Sequence, residues 1–185
     1  SKYSLLGGFR SAAQLVSYEV PLVLSVLGVV MLAGTMRMGG IVEGQKSLWY
    51  VVYQPLGFII YVIASTAEVN RTPFDIPEAE QELIAGFNVE YSGMKFAMFF
   101  LAEFANMFLV AAIAATLFLG GWHGPWLPGE VWFLIKSFAI VLLIMFFRWT
   151  YPRLRVDQLM GFSWKFLLPL AFLNLLVTGF IVAGR

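Results

Sequence analysis

The chain has 185 residues, of which 60% are hydrophobic and only 12% are charged, whereas a soluble domain carries about a quarter of its residues charged. This composition excludes an ordinary soluble fold and indicates an integral membrane protein. The net charge of +1 gives no sign of nucleic-acid binding. With no cysteine and one histidine, we predict no disulfide, no metal site and no iron–sulfur cluster bound by this chain alone.

Five apolar stretches approach the length of about 20 residues that a transmembrane helix needs. They cover residues 12–35, 48–66, 95–119, 131–149 and 164–183. No internal repeat or low-complexity tract interrupts them. Because a helix satisfies its own backbone in the hydrocarbon core, we predict one all-α transmembrane domain, a five-helix bundle over 1–185, with an acidic loop at 67–93.

Basic residues predict the orientation of this bundle. The N-terminal segment, the acidic loop and the connection between the last two spans share one face, which carries Lys2, Arg10, Arg71, Lys95, Arg148, Arg153, Arg155 and Lys165. The opposite face carries Arg37, Lys46 and Arg185. The positive-inside rule therefore places the acidic loop in the cytoplasm, or on the matrix side of an organelle. The arginines at 148–155 are either anchors on that face or partners for the loop carboxylates.

The acidic loop concentrates charge in a chain that otherwise avoids it. The stretch FDIPEAEQELIAGFNVEYSG, residues 74–93, holds five of the eleven acidic residues: Asp75, Glu78, Glu80, Glu82 and Glu90. Asp75 followed by Glu78 is a capping-box pattern, which predicts a short helix over about 76–86. Glu78 and Glu82 share a face of that helix and repel each other. When such carboxyls are partly buried, their protonation changes near neutral pH.

Three further carboxyls belong to the apolar stretches or their ends. Glu19 and Glu103 each lie about two turns inside a predicted span, and Glu68 lies at the cytoplasmic end of the second. A carboxyl at membrane depth costs several kcal/mol unless it is paired, hydrated or neutral, so each is a candidate functional residue. The alternative is a structural hydrogen bond to Tyr18 or Asn106. Together with the loop, the three carboxyls favour a connected acid path.

Two other polar residues have simpler interpretations. Lys136 lies near the outer end of the fourth span, and we expect its side chain to snorkel to the surface. His123, in GGWHGPWLPG, belongs to an outer loop rich in glycine, proline and tryptophan, which is typical of a membrane interface.

Three segments resemble a known family. AEVNRTPFDIPEAEQELIAGFNVEYSGMKFAMFFLAEFANM at 67–107 is similar to the signature of the NADH–quinone oxidoreductase membrane subunit that corresponds to subunit 1 of mitochondrial complex I. SKYSLLGGFRSAAQLVSYEV at 1–20 and WTYPRLRVDQLMGFSWKFLLPL at 149–170 also resemble that family, in the same order. Members usually have eight or more transmembrane helices. The resemblance thus implies that this sequence is truncated to the last five, without the first three helices and an early basic motif.

The resemblance implies a role for each acidic group. Members form the membrane wall of a quinone cavity and begin the acidic path that couples quinone reduction to proton pumping. Carried over by motif, the path would include Glu19, Glu68 and Glu103. The funnel between cavity and path would include Asp75, Glu78, Glu80, Glu82 and Glu90. Arg71 and Phe74 would lie near the quinone headgroup.

The same resemblance implies the setting of the chain. Quinone would be the substrate of the whole enzyme, and this chain would bind no cofactor and carry no electrons. FMN and iron–sulfur clusters would belong to partner subunits in the peripheral arm, and neighbouring small membrane subunits would flank the chain. The membrane would be the bacterial inner membrane, or the inner membrane of an organelle.

Three other functions remain open at the level of sequence. The chain could be the anchor and coupling subunit of a membrane-bound hydrogenase or a related complex, whose members also keep an acidic loop. It could be a free-standing ion transporter that uses Glu19 and Glu103, although no pair of repeats with broken helices is visible. It could also be a structural anchor whose acidic loop only docks a partner.

Overall fold

The computed structural model describes residues 2–71, 73–74, 93–152 and 154–184. Within these ranges the regular structure is entirely helical, with no strand. The helices, numbered in chain order, are α1 (Lys2–Ala33), α2 (Met38–Gly44), α3 (Tyr50–Tyr53), α4 (Pro55–Glu68), α5 (Met94–Phe118), α6 (Gly129–Thr150), α7 (Val156–Phe162) and α8 (Leu168–Ala183). A single π-helical turn, Ser163–Leu167, joins α7 to α8.

Four helical regions of the described chain are long and apolar enough to cross a membrane. They are Gly8–Ala33, Met94–Phe118, Gly129–Thr150 and Asp157–Ala183. Four of the five predicted spans are therefore confirmed as helices of sufficient length. The first and last of these helical regions begin at Gly8 and Asp157, before the predicted residues 12 and 164, because helical structure continues into polar sequence that hydropathy alone does not mark as a span.

The second predicted span, 48–66, is not one continuous helix. It breaks at Gln54, whose backbone leaves the helical region at φ −133° and ψ 62°. Proline disfavours a helical conformation in the residue before it, and Pro55 therefore accounts for the break. The 14 residues of α4 extend about 21 Å, less than the hydrocarbon thickness of about 30 Å. The five-helix count is thus not confirmed.

The helices pack as two groups around a shared apolar core. In the first group α1 lies along α4 and α8, and in the second α5 and α6 form an antiparallel pair. The larger core cluster, centred on Phe118 and Tyr61, joins the two groups through α4. A second cluster, around Tyr18 and Leu159, lies between α1, α4 and α7.

A proline inside α1 fixes how the last helical region meets it. Pro21 has no N–H, so the carbonyl of Ser17 loses its intrahelical partner. The hydroxyl of Ser163, in the π-helical turn, donates to that carbonyl at 2.5 Å. The indole N–H of Trp164 donates to the Ser17 hydroxyl at 3.2 Å. The π-helical turn therefore binds the carbonyl that Pro21 leaves without an intrahelical partner.

Contacts between connections agree with the predicted arrangement of faces. The amide of Leu154, between α6 and α7, donates to the carbonyl of Pro73 at 3.2 Å. These two predicted cytoplasmic connections therefore meet at one end of the bundle. At the other end Gln45 accepts from the amide of Gly120 at 2.9 Å, which joins the connection after α2 to the connection after α5.

The prediction that Lys136 reaches the surface is wrong. Its side chain is buried, with the residue only 5% exposed. The ammonium donates to the carbonyls of Leu119, Gly121 and His123 at 2.6, 3.1 and 2.6 Å. It also lies 4.6 Å from the ring centroid of Trp49. The lysine extends toward the outer end of the bundle, as expected. The loop after α5 covers its ammonium, which supplies hydrogen-bond donors to carbonyls that follow the C-terminus of that helix.

Candidate functional site

The C-terminus of α4 orients the first predicted site residues. Asn70 adopts a left-handed backbone at φ 54°. Its amide donates to the carbonyl of Ala67, and the amide of Arg71 donates to the carbonyl of Thr66, both at 3.2 Å. This pair of bonds is a Schellman motif, in which a residue that tolerates positive φ reverses the chain. Asparagine is one of the few residues besides glycine that adopts this conformation. The reversal leads the chain directly into Arg71.

Arg71 forms an ion pair with a carboxyl of another helix. Its Nε lies 3.2 Å from Oε1 of Glu103 on α5, and the two side chains are 10% and 21% exposed. The guanidinium also lies over the ring of Phe104, 4.5 Å from its centroid. Within the described part of the chain, Nε and Nη2 of Arg71 are both buried without a hydrogen-bond partner, so the contact with Glu103 is a charge pair that lacks hydrogen-bond geometry. The arginine is therefore held by one charge and one aromatic face.

Glu68 and Glu19 form a second acidic group. Glu68 is the last residue of α4, beyond the predicted span 48–66, and it is partly buried. Burial raises the pKa of the Glu68 carboxyl above its ordinary value, and repulsion from the charge of Glu19 raises it further. Glu19 itself is exposed on the side of α1. The two carboxyls are thus electrostatic neighbours across the α1–α4 contact.

Phe74 lies near Arg71 and is buried. Its amide donates to the carbonyl of Arg71 at 2.8 Å, which closes a tight turn. Its ring centroid is 5.5 Å from that of Tyr18 on α1. Gln14 fixes this turn from α1, since its side-chain amide donates to the carbonyls of Ala67 and Phe74 at 2.6 and 2.9 Å. The turn is therefore anchored to α1 on one side and, through Arg71, to α5 on the other.

The polar residues near the carboxyls have the following contacts. The hydroxyl of Tyr18 donates to the carbonyl of Leu159 at 3.0 Å, and Asn106 is exposed. Glu103 forms a charge pair with Arg71, which lies 32 residues earlier in the sequence. No local pattern in the sequence indicates this pair.

The predicted acidic funnel lies outside the described residues. This applies to the short helix at 76–86 and to Asp75, Glu78, Glu80, Glu82 and Glu90. The described residues end at Phe74 and resume at Gly93, which directly precedes α5. The two groups that the structure does define, Glu19 with Glu68 and Arg71 with Glu103, therefore involve residues on both sides of the acidic segment.

Sequence reasoning missed three residues that shape the site. Gln14 holds the turn at Phe74, Phe104 lies beneath the guanidinium of Arg71, and Tyr61 lies close enough to Glu68 to interact electrostatically with it. For Gln14 a signal existed, because Gln14, Ser17 and Tyr18 follow the helical spacing that places polar groups on one face. Phe104 carried no such signal among the many phenylalanines of α5.

This arrangement can respond to a change of charge. Arg71 and Glu68 are three residues apart at the end of α4, so the ion pair and the acidic pair share one helix terminus. Protonation of Glu103 would remove the carboxylate that holds Nε of Arg71, and would leave a partly buried cation beside the Schellman turn. The ion pair and the acidic pair are thus joined through one turn.

Comparison with known proteins identifies the relatives of the chain. A family profile described as NADH dehydrogenase matches residues 1–179. The NADH-quinone oxidoreductase subunit designated H of Geobacillus kaustophilus is 55% identical over 99% of this chain and 56% of that protein. A subunit of the same designation in Geobacter metallireducens is 54% identical over 100% of this chain and 56% of that protein. Its counterpart in Dehalococcoides mccartyi is 58% identical over 97% and 51%, respectively.

These matches fix the family while covering part of each relative. The chain spans about half the length of the curated relatives it matches. The profile nevertheless extends over nearly all of the chain, including α1, the Arg71–Glu103 pair and most of α8. The chain belongs to the NADH dehydrogenase family, as its resemblance to a membrane subunit of NADH–quinone oxidoreductase indicated.

Proposed function

We propose that this chain is part of the membrane subunit designated H of a proton-pumping NADH–quinone oxidoreductase in a bacterial plasma membrane. It forms one wall of the quinone cavity and a segment of the acidic path that couples quinone reduction to proton translocation. Five crossings make up this part of the subunit, with α3 and α4 together forming the broken second one. The observation that carries the proposal is the Arg71–Glu103 ion pair, which joins the turn before the acidic segment to the helix after it.

The mechanism is electrostatic. Reduction of a quinone to a quinol takes up two electrons and two protons, and this changes the charge near Arg71 and Phe74. The carboxyls of Asp75, Glu78, Glu80, Glu82 and Glu90 respond as a coupled set. Glu103 and Glu68 then exchange protons with that set, and Glu19 continues the path into α1. The chain itself binds no redox centre; FMN and iron–sulfur clusters belong to the peripheral-arm partners, and quinone is the shared substrate.

The names of the relatives support this function over the hydrogenase anchor. Each of the three relatives is named as a subunit of NADH-quinone oxidoreductase. A structural anchor would need neither a partly buried ion pair nor a partly buried Glu68 whose carboxyl is repelled by that of Glu19. Partial burial of charged groups costs stability, so their presence supports a functional role.

The test uses the intact complex that contains the full-length parent subunit. Glu103→Gln keeps the size of the side chain and removes the charge. We expect assembly and cofactor content to be retained, while NADH-driven quinone reduction and proton uptake in proteoliposomes fall. Glu130→Gln, at the exposed start of α6, is the matched control and should change neither.

Three outcomes separate the alternatives. Normal pumping and turnover in Glu103→Gln would eliminate the acid-path role. Loss of assembly would make the ion pair a docking or folding element. Hydrogen- or ferredoxin-linked activity without NADH–quinone turnover in the unmodified complex would assign the chain to the hydrogenase relatives.

A further inference from the structure

A cluster of neutral polar side chains is buried where the chain breaks between α3 and α4. Gln54, the residue at the break, is 3% exposed, and Asn174 and Thr178 of α8 are 6% and 2% exposed. The described helices alone provide this burial. The cluster lies at the N-terminus of α4, about 21 Å along the helix axis from Glu68 at its C-terminus. It is therefore separate from the ion pair and the acidic pair described above.

Two hydrogen bonds fix the orientation of the Gln54 amide. The hydroxyl of Thr178 donates to the carbonyl of Asn174 at 2.7 Å, which uses the one hydrogen that a hydroxyl carries. Toward Gln54 the same hydroxyl can therefore only accept, and Nε2 of Gln54 donates to it at 2.6 Å. The opposite atom of the amide, Oε1, consequently faces away from Thr178.

One acceptor and one donor of this cluster have no hydrogen-bond partner among the described residues. They are Oε1 of Gln54 and Nδ2 of Asn174, and both atoms are buried. A Cβ added to Gly28 of α1 would lie 3.0 Å from Oε1 and 3.3 Å from Nδ2. A Cβ added to Gly57 of α4 would lie 3.2 and 3.1 Å from the same two atoms. The acceptor and the donor therefore border one space, which two glycines leave without a side chain.

The polarity of these two atoms selects the ligand that fits between them. The N–H of Asn174 disfavours a cation, and the carbonyl oxygen of Gln54 disfavours an anion. A water molecule both donates and accepts, so it satisfies both atoms. Buried waters typically bind polar groups that would otherwise lack a partner. Ordered water is also one of the means by which a membrane protein satisfies polar groups where proline interrupts a helix, and Pro55 does so here.

We propose that this space binds one water molecule, which donates to Oε1 of Gln54 and accepts from Nδ2 of Asn174. Together with the bond to Thr178, the water holds both ends of the Gln54 amide to α8 and so fixes the break between α3 and α4. The site consists of neutral groups at the end of α4 remote from the acidic segment. It therefore goes beyond the coupling function proposed above and does not depend on it.

The experiment is electron cryo-microscopy, at a resolution that shows ordered water, of the intact complex that co-purifies with the full-length parent subunit. We expect a density peak at a hydrogen-bond distance of about 2.7–3.2 Å from both Oε1 of Gln54 and Nδ2 of Asn174. The measurement needs no activity assay. A complex with a different reaction would therefore contradict the proposed function while leaving the water site testable.

Two substitutions test which groups bind the water, each with a matched control. Asn174→Leu keeps a side chain of similar size and removes the donor, so the peak should be lost. Asn106→Leu makes the same change at an exposed position of α5 and should keep the peak. Gly28→Ala places a methyl group in the space beside both amides and should also remove the peak. Gly8→Ala, on the same helix but with no atom within 4 Å of the added Cβ, should retain it.

Four results would overturn the proposal. A direct hydrogen bond between Nδ2 and Oε1 without a peak would make the cluster a packing contact between helices. Absence of a peak while the two atoms stay apart would show that the space is dry. A peak that persists unchanged in Asn174→Leu would exclude binding by this pair. A peak surrounded only by oxygen atoms would assign the site to a cation.

Discussion

Arg71 and Glu103 lie 32 residues apart in the sequence and are joined by a contact of 3.2 Å between Nε and Oε1. Between them the chain carries five of its eleven acidic residues. The pair thus connects the two parts of the fold that flank the segment of highest charge. It links the end of α4, where Glu68 lies, to the middle of α5.

The first prediction concerns the energy of this pair. Arg71→Gln and Glu103→Gln should each reduce quinone-coupled turnover, and the double variant should lose less than the sum of the two. When the turnover rates are converted to activation free energies in a double-mutant cycle, we expect an interaction energy of about 0.5–3 kcal/mol between the two residues. The reason is that each single change leaves one partly buried charge without its partner. Lys95→Gln with Glu103→Gln is the control, since Lys95 is exposed two turns earlier on α5, and the pair should be additive. If the effects of Arg71→Gln and Glu103→Gln were also additive, this would contradict a functional ion pair.

The second prediction concerns the titration of Glu68. Its raised pKa means that the protonated carboxyl persists at a pH where a solvated glutamate is ionised. Ionising it in the folded protein costs stability, and this cost appears as the pH rises from the ordinary pKa through the raised one. Glu19→Gln should lower the pKa of Glu68 only part of the way, because burial is the larger cause. The carboxyl band in infrared difference spectra, assigned with Glu68→Gln, measures this shift.

Two results would contradict that interpretation of Glu68. If Glu19→Gln left its titration unchanged, the two carboxyls would not be coupled. If Glu43→Gln, at an exposed position of α2, shifted the titration of Glu68 equally, the effect would come from net charge instead of the specific neighbour.

The third prediction concerns the left-handed residue that ends α4. Asn70→Val should destabilise the protein by roughly 1–2 kcal/mol, because a β-branched side chain is strained at positive φ. Asn70→Gly should remain close to the unmodified protein, since glycine adopts that conformation freely. Thermal unfolding of the purified complex measures both. Similar losses in the two variants would mean that the asparagine side chain, and not the backbone conformation, maintains the turn.

The fourth prediction concerns the lysine at the opposite end of the bundle. Lys136→Met preserves the apolar stem but removes the donor that binds three carbonyls. We expect a loss of roughly 3 kcal/mol or more in stability, because hydrogen bonds to charged groups contribute about 1.5–3 kcal/mol each. Lys46→Met, which is exposed on the same face, should have little effect on the midpoint of thermal unfolding. An unchanged midpoint for Lys136→Met would show that water replaces the ammonium without cost.

Hydropathy and charge in the sequence were sufficient to predict the helical class and most of its elements. α5 and α6 begin and end within two residues of the predicted 95–119 and 131–149, because long apolar runs with polar ends leave few alternatives in a membrane. The same local signals predicted which connections share a face, and the bond between Leu154 and Pro73 agrees with that arrangement. The family was also evident from the residues around the acidic loop.

The tertiary structure alone decided which side chains meet. Glu103 pairs with Arg71 because a left-handed Asn70 reverses the chain at the end of α4, and hydropathy does not record backbone conformation. Lys136 is buried because the loop after α5 folds over it, although its position in the sequence suggested the surface. Membrane insertion depends on the summed polarity of about twenty residues, whereas an ion pair depends on the direction of two side chains. The first is a property of the sequence, and the second exists only in the folded chain.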